Sequence, residues 1–287
     1  MKAPCIAQRD VTLHILKTFH LVMNKKLGQN FLIDSHVVNK IVEAAEITPE
    51  DKVLEIGPGI GTLTQGLAEA GASVVGVELD KKLIDVLGKT LADYDQVRIV
   101  HGDILKIDIS REIAAESYKV VANLPYYITT PIIMKLLEER LPISLLVTMI
   151  QKEVALRMIA SPGSKDYGAL SVAVQYYTEP EIVFIVPPAS FIPAPAVHSA
   201  VLRCRIRKMP PIAVESERDF FKVVKAAFCQ RRKTLSNSLK GGGFEANDIA
   251  TMLDRAKIEG QRRGETLALA DFGALANAYT ALIRERG

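Results

Sequence analysis

Asn123-Leu124-Pro125-Tyr126 is the segment whose residue types most directly define a reaction. An exocyclic amine on an aromatic base is a poor nucleophile because its lone pair is delocalised into the ring. The side-chain oxygen of Asn123 and a nearby backbone carbonyl can accept the two N–H bonds of such an amine, favour its pyramidal form and aim the lone pair at an electrophile. Pro125 restricts the backbone that carries that carbonyl. Tyr126 supplies a ring on which a base taken out of its stack can rest. A neutral amine attacking a sulfonium methyl yields a cation that loses its proton to water, so position and desolvation suffice and no general base is required. Found alone, the tetrapeptide would equally suit a turn after a strand.

A second constellation supplies a place for a nucleoside. Gly57, Gly59 and Gly61 stand in G-x-G-x-G spacing between a predicted strand and a predicted helix, where they let the backbone turn sharply and a ligand approach the helix N-terminus. The dinucleotide-binding pattern is G-x-G-x-x-G, so a nicotinamide-linked dehydrogenase is disfavoured. Glu78 ends the next strand, where a carboxylate can accept hydrogen bonds from both ribose hydroxyls. Asp103, in the pair Gly102-Asp103, ends the strand after that and could accept from an adenine amino group. An adenosine-containing ligand fits all three strand ends. Singly, each has a plainer alternative: a turn, a surface carboxylate, a helix cap.

The elements that must position these residues alternate. Residues 35–47 form a helical stripe capped by Asp34 or Ser35, and strands are predicted over 52–56, 73–78, 97–100, 118–122 and 143–150, with helices over about 62–70, 80–91, 132–139 and 151–160. This pattern is α/β, a parallel doubly wound sheet whose ligands sit beyond the carboxyl ends of its strands. Strands over 181–186 and 200–206 flank the proline-rich loop 187–195 and would complete the sheet. After Pro210-Pro211 the pattern becomes wholly helical, over 219–228, 231–239, 246–255 and 271–283. The expected division is an N-terminal extension, 1–24, a catalytic domain, 25–209, and a smaller all-helical domain, 210–287.

Composition excludes several classes. The chain has 287 residues with 48% hydrophobic and 24% charged, values of a folded globular protein. No apolar run is long enough for a membrane helix and no secretory signal pattern is present, so a cytoplasmic location is expected. Three widely spaced cysteines offer neither a disulfide framework nor a zinc site. The net charge of +3 conceals an asymmetry: residues 203–240 hold 11 Lys or Arg against 3 Asp or Glu, and residues 1–30 hold 5 against 1. Such concentration is the footprint of a surface that meets a polyanion, or else of solvated helix faces. Within it, Arg231, Arg232 and Lys233 are candidate phosphate contacts. No heptad or self-complementary stripe is visible, and a monomer is expected.

Taken together, these residues resemble the KsgA-type small-subunit ribosomal RNA adenine dimethyltransferases, relatives of the Erm resistance methyltransferases. The resemblance spans nearly the whole chain. It rests on Lys25-Lys26-Leu27-Gly28-Gln29-Asn30-Phe31-Leu32-Ile33-Asp34, Glu55-Ile56-Gly57-Pro58-Gly59-Ile60-Gly61, Asn123-Leu124-Pro125-Tyr126-Tyr127, Phe191-Ile192-Pro193-Ala194-Pro195-Ala196-Val197, Gln230-Arg231-Arg232-Lys233-Thr234-Leu235 and Arg262-Arg263-Gly264-Glu265. It implies a Rossmann-like methyltransferase fold with S-adenosylmethionine as donor. Asn30 and Leu32 would lie near the donor's methionine end, Gly57, Gly59 and Gly61 in its glycine loop, Glu78 on the ribose and Asp103 at the adenine. Asn123 would border both donor and acceptor, Leu124 receive the target amine through its carbonyl, and Tyr126 and Phe191 sandwich the flipped adenine. The family dimethylates the N6 atoms of two adjacent adenosines in the hairpin near the 3′ end of 16S small-subunit rRNA, which makes the small ribosomal subunit the expected partner, gripped by the helical domain.

Three rivals are weighed on the same residues. Erm-type enzymes usually carry isoleucine in place of Leu124, and DNA adenine methyltransferases carry N-P-P-Y or D-P-P-Y, so Leu124 disagrees with both. A factor whose binding to the assembling subunit matters more than its catalysis is compatible with every motif.

Overall fold

The computed structural model describes residues 3–21 and 28–286. Lys25, Lys26 and Leu27 of the N-terminal motif lie outside the described residues. In chain order the elements are α1 (Arg9–Thr18), β1 (Phe31–Leu32), α2 (Ser35–Ala44), β2 (Lys52–Ile56), α3 (Thr62–Glu69), β3 (Ser73–Glu78), α4 (Lys81–Thr90), β4 (Val97–His101), α5 (Ile109–Ile113), β5 (Tyr118–Asn123), α6 (Thr129–Glu138), β6 (Ile143–Gln151), α7 (Lys152–Ile159), α8 (Ala169–Tyr177), β7 (Thr178–Val186), β8 (Phe191–Ile192), β9 (Ser199–Ile206), α9 (Glu217–Ala227), α10 (Leu235–Gly241), α11 (Ala246–Ala256) and α12 (Leu269–Arg286).

The chain packs into two units: the sequence up to Ala155 with Pro180–Ile206, and Leu156–Glu179 with the sequence from Arg207 onward. This interleaving corrects the linear division at 209. Leu156–Glu179 leaves the catalytic unit because α8 buries Val172, Val174, Tyr176 and Tyr177 in the second unit, where Tyr176 stacks on Phe220 of α9 with ring centroids 4.8 Å apart. Helix α8 itself has no counterpart among the predicted elements. Its sequence Ala-Leu-Ser-Val-Ala-Val-Gln-Tyr-Tyr has no polar face, since it is buried almost all round, and periodicity carries no signal there.

In the first unit seven strands form one sheet in the order β4-β3-β2-β5-β6-β9-β7. Neighbours from β4 through β6 are parallel and β9 runs antiparallel to β6. The parallel strands are apolar runs because helices cover both faces. Val53, Val74, Val121 and Val147 meet Val37, Val38 and Ile41 of α2 and Leu63 and Leu67 of α3 in one cluster. Each such side chain contributes roughly 1.5–3 kcal/mol on burial. Helix α2 comes so close to α3 that a Cβ on Gly66 would stand 2.5 Å from a Val38 methyl carbon. Of its two candidate caps Asp34 serves, accepting from the N–H groups of His36 and Val37.

The N-terminal extension is not a separate segment where it is described. Ile6, Ile15 and Leu16 join Phe31, Ile60, Leu83 and Leu87 in a second cluster of this unit. Gln65 locks the extension in place, accepting from the Ile6 N–H at 2.8 Å and donating to the Pro4 carbonyl at 3.1 Å.

In the second unit the helix expected over 231–239 begins only at Leu235. Thr234 caps it, its hydroxyl accepting from the Asn237 N–H, so Arg231, Arg232 and Lys233 lie in the preceding turn. The charge count over 203–240 also overstates the free basic surface. Arg203 and Arg205 pair with Glu46, Arg203 also with Glu181, and Arg207 with Glu179, while the Lys222 ammonium lies 4.6 Å from the centroid of the Tyr279 ring.

Candidate functional site

Beyond the carboxyl ends of β2, β3, β4 and β5 the first unit opens a cleft lined by Asn30, Leu32, Gly57, Gly59, Glu78, Asp103, Asn123, Leu124, Tyr126 and Phe191 among others. Ten of the eleven residues expected to handle the nucleoside, the donor and the acceptor amine therefore line one cleft, and the eleventh sits beside it. Gly61, which does not line the cleft, is the left-handed N-cap of α3, with φ of 94° and its N–H bonded to the Pro58 carbonyl at 2.9 Å. Its task is to turn the loop into the helix. Arg231, Arg232 and Lys233 belong to the second unit and are exposed.

The glycine loop is held from beneath by the next strand. The Gly57 N–H donates to the Val77 carbonyl at 2.9 Å, and the Gly59 N–H donates to Oε2 of Glu78 at 3.0 Å. Oε1 of Glu78 accepts from the Asp80 N–H at 2.8 Å. The carboxylate is thereby fixed against two backbone donors at the strand end. Burial pushes its pKa above the ordinary carboxylate value, opposed by these N–H groups and reinforced by the nearby Asp80 carboxylate. Gly57 has φ of 69° and nothing within 4 Å of where a Cβ would stand, so the cleft reaches the backbone itself.

Asp103 opens a tight turn. Its Oδ1 accepts from the Leu105 N–H at 3.0 Å, and Lys106 approaches Oδ2 at 3.5 Å. The cap reading of this residue and its position at the cleft both hold, since a half-buried carboxylate retains acceptor capacity beyond one N–H.

Asn123 ends β5. Its Nδ2 donates to the Asn30 carbonyl at 3.3 Å, while Asn30 Nδ2 donates to the Gly28 carbonyl at 3.1 Å. The amide is thus oriented by the N-terminal motif, and its Oδ1 receives no donor from the described residues. The Leu124 N–H is consumed by the Met149 carbonyl at 3.0 Å, whereas the Leu124 carbonyl receives no donor from the described residues. Pro125 closes the next turn, its carbonyl accepting from the Thr129 hydroxyl at 3.0 Å. Two free acceptors therefore sit on adjacent residues at the strand end. Tyr126 is tethered through its hydroxyl to Ser199 Oγ at 2.7 Å, and burial raises its pKa, so it stays a neutral ring. Phe191 pairs with Leu32 in the short antiparallel β1–β8 ribbon and is 3% exposed.

Sequence reasoning passed over Glu55, Gln29, Phe31 and Tyr127 as individual lining residues. Phe31 supports Gly59, with ring carbon Cε1 3.5 Å from a Cβ there, and Gln29 donates to Asp80 at 3.0 Å. Glu55 carried a signal that was available: a charged residue in the middle of the apolar strand Lys-Val-Leu-Glu-Ile.

An α/β sheet of this order, with a glycine loop, an acidic residue ending the next strand and an amide ending the fourth, defines a Rossmann-like methyltransferase. Comparison with known proteins narrows it. Residues 21–275 match the family model for ribosomal RNA adenine dimethylase, and the chain belongs to that family. It is 51% identical to the ribosomal RNA small subunit methyltransferase A of Geobacillus thermodenitrificans, over 97% of this chain and 98% of that protein. It is 48% identical to the protein of the same name from Clostridioides difficile, over 95% and 96% respectively. Among solved structures it is similar to a dimethyladenosine transferase from Plasmodium falciparum, with a TM-score of 0.74 and 26% identity over 85% of this chain and 95% of that one. The 23S rRNA methyltransferase ErmE is also similar, with a TM-score of 0.66 and 27% identity over 88% and 100%.

Proposed function

We propose that this chain transfers methyl groups from S-adenosylmethionine to the N6 atoms of two adjacent adenosines in the hairpin near the 3′ end of small-subunit rRNA. The observation that carries the reading is the pair of undonated acceptors, Asn123 Oδ1 and the Leu124 carbonyl, at the end of β5 beside a nucleoside-sized cleft.

The cleft fits the donor on three grounds. Gly57 leaves open space at the backbone, Glu78 presents a carboxylate pre-positioned by Gly59 and Asp80, and the lining contains carboxyl groups but no lysine, arginine or histidine among the described residues. Reading across the sheet, Asp103 follows β4, Glu78 ends β3, the glycine loop follows β2 and Asn123 ends β5. Strands lie about 4.8 Å apart, so the four positions span roughly 14 Å, the reach of an extended donor from adenine to methyl. Glu78 would hold the ribose, Asp103 the adenine, and Asn30 and Leu32 the methionine end. When bound, the donor supplies a methyl group on a sulfonium, an electrophile of high reactivity. Asn123 and Leu124 orient the amine, Tyr126 and Phe191 grip the adenine ring, and the apolar lining from Leu32, Ile56 and Ile128 excludes water.

Arg231, Arg232 and Lys233 would meet rRNA phosphates, with the small ribosomal subunit as partner in a cytoplasmic, monomeric enzyme. The half-identical relatives bear a small-subunit name over nearly their whole length, which favours this substrate over large-subunit rRNA. No helix among the described residues is long and apolar enough to cross a membrane. The test is transfer of labelled methyl to unmethylated small subunits, large subunits and DNA, with mapping of the modified base. Label at the adjacent adenosines supports the reading. Label on large-subunit rRNA alone replaces it with an Erm-like activity, and tight subunit binding without transfer replaces it with an assembly factor.

A further inference from the structure

Of the nine phenylalanines and eight tyrosines in the chain, all of them among the described residues, Tyr127 alone is exposed, at 55%. It lines the cleft at its rim, directly after Tyr126 in the turn that follows β5. The acceptor chemistry leaves it without a task, since Asn123 and Leu124 orient the amine and Tyr126 and Phe191 grip the target base. An aromatic side chain left in water forfeits the gain that burial gives the others in whole or in part.

Its position is nonetheless fixed. Ring carbons Cδ1 and Cε1 stand 3.5 and 3.9 Å from where a Cβ of Gly28 would be, and Cβ of Pro125 lies 4.0 Å from the same point. Gly28 is in the left-handed region, with φ of 59°, and its carbonyl accepts from Nδ2 of Asn30, whose own carbonyl accepts from Asn123. The turn that orients the Asn123 amide therefore also supports this ring. The Tyr127 hydroxyl meets no partner among the described residues, and more than half of the side chain is open to solvent. Stacking is the contact on offer here, since no lysine, arginine or histidine lines the cleft among the described residues.

The substrate has a matching need. Under the functional reading above, on which this inference rests, the two adenosines are adjacent, so the base that enters the cleft abandons the one beside it. Extrusion breaks their mutual stacking and leaves one face of the remaining base in water. An aromatic ring anchored at the rim replaces the lost partner, because every base has a π-face.

We infer that Tyr127 is a positioning residue for the second adenosine: its ring stacks on the waiting base while the first adenine lies between Tyr126 and Phe191, which offsets the cost of extrusion and sets the register of the pair.

The experiment uses single-acceptor substrates, unmethylated small subunits reconstituted with rRNA in which one adenosine of the pair, each in turn, is replaced by guanosine or by uridine. Guanosine keeps a purine ring for stacking and brings no N6 amine, whereas uridine offers a smaller surface. Transfer of labelled methyl to the remaining adenosine is read as kcat/KM. For the parent enzyme it should be several-fold higher beside guanosine than beside uridine in at least one of the two placements. Tyr127→Ala should lower the guanosine value by about 5–100-fold and abolish the guanosine preference, and Tyr127→Phe should retain both. A guanosine preference that survives in Tyr127→Ala, or no preference in the parent in either placement, overturns the proposal. So does a loss of S-adenosylhomocysteine affinity in Tyr127→Ala as large as the loss in kcat/KM, which assigns the ring to the donor. Should Tyr127→Ala fail to fold, Tyr127→Leu takes its place, keeping an apolar side chain on Gly28 without a ring. Absence of transfer by the parent even to small subunits carrying both adenosines overturns the functional reading itself, and is thereby distinguished from a failure confined to Tyr127.

Discussion

The cleft at the strand ends and the turn carrying Arg231, Arg232 and Lys233 present charge in opposite ways. In the cleft, the carboxyl groups of Glu78 and Asp103 are buried or half-buried and fixed by backbone donors, Glu78 by Gly59 and Asp80 and Asp103 by Leu105. In the turn, cations stand in solvent. Arg231 approaches Glu265 only at 3.5 Å, and Arg232 and Lys233 pair with no carboxylate among the described residues. A rigid, desolvated site suits a small ligand that must be held to within a fraction of an ångström. Exposed, loosely held cations suit a polyanion recognised by charge rather than by fit. Geometry should govern the first region and ionic strength the second.

The comparison breaks first at Asn123. Asn123→Ala removes one of the two acceptors, and single-turnover methyl transfer should fall by about 10²–10³-fold while donor affinity changes by less than about threefold. If transfer survives, the amine is not aligned there. Glu78→Ala should weaken donor affinity by roughly 10–100-fold, because it deletes a charged acceptor and frees two loop N–H groups; calorimetric titration reads it. In the other region, reversing Arg231, Arg232 and Lys233 to Glu should weaken subunit binding and lower the slope of log affinity against log salt by up to about 2–3, leaving donor affinity unaltered. An unaltered slope would assign these charges to a merely solvated turn. Glu55→Gln sharpens the contrast through stability. The raised pKa means that the native protein is favoured below the ordinary Glu value and loses that advantage as pH rises to about 8. The variant should therefore gain thermal stability relative to the parent at pH 8 and not at pH 4. The smallest effect is expected of Tyr126→Phe, which keeps the ring and loses the 2.7 Å bond to Ser199, about 0.5–1.5 kcal/mol of positioning.

Much of the catalytic unit was legible. Strands β2 and β3 coincide with the predicted spans, since short apolar runs ended by glycine or an acidic residue have few alternatives. Helix α8 was not, because a helix buried on all sides loses its amphipathic period. The 231–239 helix was drawn too long, because an Arg-Arg-Lys run suits a helix end and a solvated turn equally, and only the Thr234 cap distinguishes them. The N-terminal apolar residues Val11, Leu16 and Phe19 gave no partner by themselves; Phe31, Ile60 and Leu83 supply it.

From the sequence came the reaction type, through the family its motifs resemble, and most of the residues that line the cleft, because glycine, acidic and amide residues at strand ends are marked by local spacing. Tertiary structure decided what no local pattern encodes: that Leu156–Glu179 packs with the C-terminal helices, that Arg203, Arg205 and Arg207 are paired, and that Glu55 is buried where it feels the Glu78 charge, with no cation among the described residues lining the cleft. Burial and ion pairing are properties of neighbours brought together from distant parts of the chain, and they set the protonation state that a carboxyl group cannot reveal by its position in the sequence.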